Sequence, residues 1–159
     1  MPSLEAWERL SYIVTVIGLP LAILVFFWEQ RKARLNEDEE LHLRLSAAYT
    51  DFLKLVLDNA DLQLLRQRPG ELALSPEQEE RRFALFGILI AIFEQAYVMV
   101  HETHMNRERR RLWQNWADYI EDWCARADFR AALSELLRGE DEEFAEYMRA
   151  TAARVEQRR

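Results

Sequence analysis

Cysteine is nearly missing from this chain. Among 159 residues there is one, Cys124, which excludes an internal disulfide and a cysteine-built zinc site. Glycine and proline are scarce as well, four of each, and no Gly- or Ser-rich tract occurs. That scarcity argues against long linkers, disorder and turn-rich β folds. Positive charge is in the minority: 21 Lys and Arg face 28 Asp and Glu, a formal net charge of -7. General nucleic-acid binding is therefore not expected. No internal repeat at solenoid periods is visible.

What remains is apolar and helix-forming. Half of the residues are hydrophobic, enough for a real core, and Ala, Leu, Glu, Arg and Gln favour helix throughout. The expected fold class is all-α. An N-terminal transmembrane helix is followed by a cytosolic antiparallel bundle of four to five helices. The anchor with its basic flank takes residues 1–35 and the bundle residues 36–159.

The span is read from Leu10 to Trp28, LSYIVTVIGLPLAILVFFW, a run without charge and long enough for a bilayer core of about 30 Å. Trp7 and Trp28 are spaced to sit at the two interfaces. Pro20 is tolerable in a membrane helix. A cleaved signal peptide fits poorly, because Glu5 and Glu8 precede the run and no small-residue cleavage site follows it. Arg31, Lys32 and Arg34 follow instead, which places the C-terminal side in the cytoplasm and the amino terminus outside. The expected location is a bacterial inner membrane. Ser11, Thr15, Gly18 and Ala22 fall on one helical stripe of small residues, a candidate self-association face.

In the bundle, Asn36 with Glu39 reads as a capping box. The helix it opens is expected to run to about Arg68, with Leu41, Leu45, Ala48, Phe52, Leu55, Asn59 and Leu62 on its apolar side. Continuation from the span as one long rod is the alternative. Pro69-Gly70 punctuates the chain. Ser75-Pro76-Glu77-Gln78 is a strong helix start. The helix it begins contains FALFGILIAIFEQAYVMV (Phe83–Val100) and is expected to end near His104 to Asn106. Its eleven uninterrupted apolar residues, Phe83–Phe93, are too few to cross a bilayer, and Glu94 makes a longer span costly. The expectation is a central core helix. A further helix over Arg107–Arg126 buries Leu112, Trp113, Trp116, Ile120 and Trp123. Asp128 is a candidate cap for a short helix closed by Gly139. A last helix opens on Glu140–Glu143 and closes on arginines, as the helix dipole favours.

Three segments carry a resemblance: IFEQAY (Ile92–Tyr97), RRRLWQNWADYIEDW (Arg109–Trp123) and DFRAAL (Asp128–Leu133). They resemble an uncharacterised group of bacterial proteins with one N-terminal span and a small cytosolic helical bundle. Phe93, Glu94, Tyr97, Trp113, Trp116 and Phe129 match that group's recurring Phe/Glu/Tyr cluster, W-x-x-W helix and short Phe/Arg segment. The resemblance covers most of the chain after Asn36 and implies the single-span architecture without a reaction. The layout is also similar to CRISPR-associated accessory proteins that join one span to a helical domain and assemble into membrane pores. Some of those relate to HEPN ribonucleases. Their Arg-x4–6-His signature is missing before His42, His101 and His104.

Candidate chemistry is sparse. His101 and His104 are spaced i, i+3 rather than the i, i+4 of a helical zinc protease, so no metal or cofactor is expected. Arg107, Arg109, Arg110 and Arg111 form a basic cluster, a candidate anion-binding site for lipid or nucleotide phosphate. Glu94 with Tyr97 is a candidate buried polar pair, expected to bond Tyr97, Trp113 or Trp116. Cys124 has no base in sequence reach. The reading is a non-enzymatic, self-associating membrane protein, with a membrane pore in phage defence as the alternative. Its expected partners are membrane lipid, further copies of itself and a protein at the bundle.

Overall fold

The computed structural model describes residues 4–66, 73–101, 105 and 107–158, with the backbone alone at 4–20, 30–39 and 108. Five α-helices follow in order: α1 (Leu4–Asp58), α2 (Pro76–Val100), α3 (Arg107–Cys124), α4 (Ala127–Leu136) and α5 (Glu142–Gln157), with a 3-10 turn at Ala60–Leu62. The fold is all-α, and no strand occurs among the described residues.

The chain divides into two compact units, Met1–Leu41 and His42–Arg159, and α1 contributes to both. In the first unit, the described apolar side chains from Leu21 to Trp28 lie open to solvent. Phe26 and Phe27 meet edge to face at 6.2 Å. Asn36 lies inside α1, so the expected helix start there is not made and the alternative, one continuous helix, is what is found. The preceding RKARL already favours helix, which leaves no unsatisfied N-terminus to cap.

The second unit is a helical bundle. Ring contacts set the helix directions. Tyr97 meets Trp113, Phe93 meets Trp116 and Phe86 meets Trp123, so α2 and α3 are antiparallel. Tyr49 against Trp116 and Phe52 against Trp123 make the end of α1 parallel to α3. Trp113 beside Tyr147 and Glu121 bonded to Arg154 make α5 parallel to α3 as well. Leu89, Ile90, Phe93, Ile120, Phe129, Phe144 and Met148 are completely buried among these helices.

Helix α1 ends at Asp58, ten residues before the expected Arg68. Asn59 Nδ2 turns back onto the Leu55 carbonyl at 2.9 Å, and Gln63 closes the 3-10 turn at φ 50°. A distant residue holds this ending in place. Arg81 on α2 donates to Asn59 Oδ1 at 2.6 Å and to Asp61 Oδ2 at 2.8 Å, and Gln78 donates to the same Asp61 oxygen. The Gln78 bond, with Arg81 beside it, holds the Asp61 carboxyl below the usual carboxylate range. Leu55 is exposed, while Val56 and Leu62 are buried.

The start of α2 is as expected. Ser75 Oγ accepts from Gln78 N at 3.3 Å, Gln78 Oε1 accepts from Ser75 N at 2.9 Å, and Pro76 takes the first helical position. The helix stops at Val100 rather than at His104 to Asn106, because His101 leaves helical geometry at ψ 120°. Among the described residues α2 is the one helix long and apolar enough to cross a membrane, and half of its most apolar window is buried in the bundle. The span expected at Leu10–Trp28 lies partly outside the described side chains.

Candidate functional site

Helices α2, α3 and α5 converge around Tyr97. Its ring stacks on His101 at 4.4 Å and approaches Trp113 at 5.7 Å, Phe144 at 5.7 Å and Tyr147 at 5.4 Å. His101 also meets Trp113 at 4.9 Å. These positions are brought together because α2 ends where α5 begins, and α3 lies across both. The i, i+4 step from Tyr97 to His101 puts both rings on one face. Burial lowers the His101 pKa, with Glu143 opposing it, and burial raises the Tyr97 and Tyr147 hydroxyls.

Glu94 sits one turn earlier on the same face and is half-buried. It does not bond Tyr97, Trp113 or Trp116 as expected. Its Oε1 accepts from the backbone N of Asp141 at 2.6 Å. Asp141 in turn caps α5, accepting from Phe144 N at 2.9 Å. Glu94 therefore satisfies a donor at the start of another helix, where a carboxylate is also favoured by the dipole. The neighbouring Glu140 carboxyl is pushed up chiefly by its hydrogen bond to Glu94, then by burial and by repulsion from Glu94. The Glu94 and Glu140 carboxyls thus lie together between α2 and the start of α5.

Cys124 offers no nucleophile. It is fully buried and its thiol is pushed up to about 12 by desolvation. Glu102, Thr103 and His104 lie outside the described residues, and among the described ones no group of His, Cys, Asp and Glu is arranged to hold a metal ion. Arg107, Arg110 and Arg111 are exposed on the first turns of α3, and Arg109 is half-buried. Arg110 Nη2 reaches the Met105 carbonyl at 3.4 Å. Of the expected membrane-face residues, Ala22 and Trp28 are exposed. The side chains of Ser11, Thr15, Trp7, Arg31, Lys32 and Arg34 lie outside the described set, as does the surrounding of Gly18.

A second polar centre was not foreseen. Arg126, only 12% exposed in its side chain, donates to the carbonyls of Gln63 and Leu64 at 3.1 and 2.8 Å. It also pairs with Asp128 through two bonds of 3.1 and 2.7 Å. Asp128 thus serves Arg126 and, at 3.5 Å, Arg82; it is not the N-cap of α4, which is Arg126, but its Oδ1 accepts from the first-turn Phe129 N at 2.9 Å. An open cleft of about 360 Å³ lies beside it, lined by Tyr49, Leu65, Tyr119, Asp122, Trp123 and Arg126 among others. In the sequence Arg126 reads only as the last residue of the expected Arg107–Arg126 helix.

No family model matches the chain, and neither a curated protein nor a solved structure matches it.

Proposed function

We propose that this is a single-pass membrane protein of the bacterial inner membrane, its amino terminus outside and its helical bundle a cytoplasmic interaction domain. It self-associates and carries out no reaction of its own. One observation carries the reading: the described apolar side chains at the end of the uncharged run are largely exposed. Leu21, Ile23, Leu24, Val25, Phe26, Phe27 and Trp28 are between 46% and 67% exposed. A contiguous apolar helical surface of this kind is unfavourable in water and natural in hydrocarbon. The basic Arg31, Lys32 and Arg34 support the orientation. The small-residue stripe from Ser11 to Ala22 supports close approach of a second span, and the likeness to single-span bundle proteins agrees with it.

Carbonate extraction of membranes expressing the chain tests the anchor, and release into the soluble fraction would remove it. Native mass spectrometry in detergent tests self-association: the expected result is an oligomer, and a monomer overturns that part. The hydroxyls of Ser11 and Thr15 in the same stripe favour a second reading, a pore lined by oligomerised spans. Vesicles loaded with dye separate the two. Leakage that Gly18→Leu abolishes supports the pore, and tight vesicles around a verified oligomer exclude it.

A further inference from the structure

The cleft beside Arg126 lies wholly within the bundle. Tyr49 comes from α1, Leu65 from the segment after the 3-10 turn, and Tyr119, Asp122, Trp123 and Arg126 from α3 and its exit. Its volume of about 360 Å³ falls in the range of about 300–1,000 Å³ usual for small-molecule sites. One wall is aromatic. Tyr49 and Tyr119 stack at 4.7 Å with 18° between their planes, and Trp123 Nε1 donates to the Tyr49 hydroxyl at 3.3 Å. The stack covers one face of Tyr119, yet that residue is 40% exposed, so solvent meets its other face and its rim. An aromatic face carries the negative part of the ring quadrupole.

The charges of the cleft are unequally matched. Arg126 commits Nε and Nη2 to Asp128, and Nη1 to the Gln63 and Leu64 carbonyls. It has little left to offer an anion. Asp122 is exposed, with no hydrogen bond or ion pair among the described residues. Its three-residue step from Tyr119 puts both side chains on one face of α3. Burial raises the Tyr49 hydroxyl pKa, and Tyr119 and Asp122 add to the rise, so the field of that carboxylate reaches the aromatic wall.

We propose that this cleft is a binding site for a small alkylammonium cation, held by the Asp122 carboxylate and the open side of the Tyr119 ring, with its alkyl groups against Leu65. A methylated ammonium spreads its charge over carbon, and an aromatic face with one carboxylate suits it. A hard metal ion asks for several oxygens instead. Leu65, 55% exposed, supplies apolar cover that a bare ion would not use. The site belongs to the bundle alone and stands whether or not the chain is anchored.

Isothermal titration of the full chain in a maltoside detergent, which carries no choline headgroup, tests the site with choline as the probe. The control is the neutral carbon isostere of choline, with a tert-butyl group in place of trimethylammonium. Choline is expected to bind, and the isostere at least about tenfold more weakly. No choline binding, or equal binding of the two, overturns the site. Asp122→Asn is expected to weaken choline about tenfold, and Tyr119→Leu about fivefold, the scale of one cation–ring contact. Both positions are exposed, so circular dichroism should show unchanged helical content. Unchanged choline affinity in both variants also overturns the site. Inorganic phosphate is expected not to bind; phosphate binding without choline binding would make Arg126 the recognising group and sink the cation reading. Glycerophosphocholine distinguishes the two sources of the cation. Tighter binding than choline supports the site as one for a lipid headgroup, and equal or weaker binding supports it as one for a free ammonium compound.

Discussion

Leu21–Trp28 and Phe83–Phe93 are two apolar stretches of similar composition in very different surroundings. In the first, Phe26 and Phe27 are 57% and 65% exposed; in the second, Phe86 and Phe93 are 1% and 0% exposed. Hydrophobicity alone does not say what covers a helix. The difference lies in what the neighbouring helices supply. Phe86 meets Trp123 and Phe129, and Phe93 meets Trp116, whereas the ring contact of Phe27 is with its own neighbour Phe26.

Deleting the same side chain in each region gives the largest contrast. Phe93→Ala should cost about 3–5 kcal/mol in the unfolding of the bundle, the usual loss for a buried Phe. Phe27→Ala should change it by less than about 0.5 kcal/mol, as exposed positions do. Denaturant titration followed by tryptophan fluorescence reads both, and equal effects would dissolve the distinction. Asp128→Ala comes next. It strips a partner from Arg126 while that side chain remains largely buried. The expected loss is about 2 kcal/mol, under the 3–5 of a fully buried pair, and Asp128→Asn should recover part of it.

Ser75→Ala then removes one half of the capping box at the start of α2. About 1 kcal/mol should be lost, with Ser75→Asp restoring most of it. The smallest effect belongs to the carboxyl pair. The folded-state pKa of Glu140 is raised, so the native state binds its proton more tightly than the unfolded chain. This contribution is full below the ordinary carboxylate pKa and is lost as pH rises through the raised value. Unfolding midpoints measured from pH 4 upward should fall across that window in the wild type. Glu140→Gln, which keeps a donor and cannot ionise, should flatten the fall, and an unchanged slope would refute this contribution of Glu140.

Much of the bundle was legible because its signals are local. The Ser75 start needs only residues 75–78. The Trp113, Trp116, Ile120 and Trp123 stripe needs only helical periodicity, and all four are buried. The differences arise where one signal meets a stronger one, local or distant. Asn36 and Glu39 have capping chemistry but no helix end to cap. Leu55 and Leu62 fit one continuous stripe, but α1 ends between them, at the residues that Arg81 bonds. Glu94 reads as a carboxylate in need of a partner, and its neighbours in the sequence pattern point to Tyr97 or the tryptophans. The donor is a backbone N–H 47 residues away, which side-chain patterning does not report.

Helical class, the start of α2, the ring-bearing face of α3 and the inertness of a lone cysteine without a base all follow from the amino-acid order, because each depends on residues within a turn or two. The end of α1, the clasp of Glu94 on the start of α5 and the burial of Arg126 were decided by tertiary structure, because each is a pairing between groups 20 to 63 residues apart. The same holds for the apolar run of α2: its composition makes it a helix that must leave water, and only the packing of α3, α4 and α5 determines which of its faces has done so.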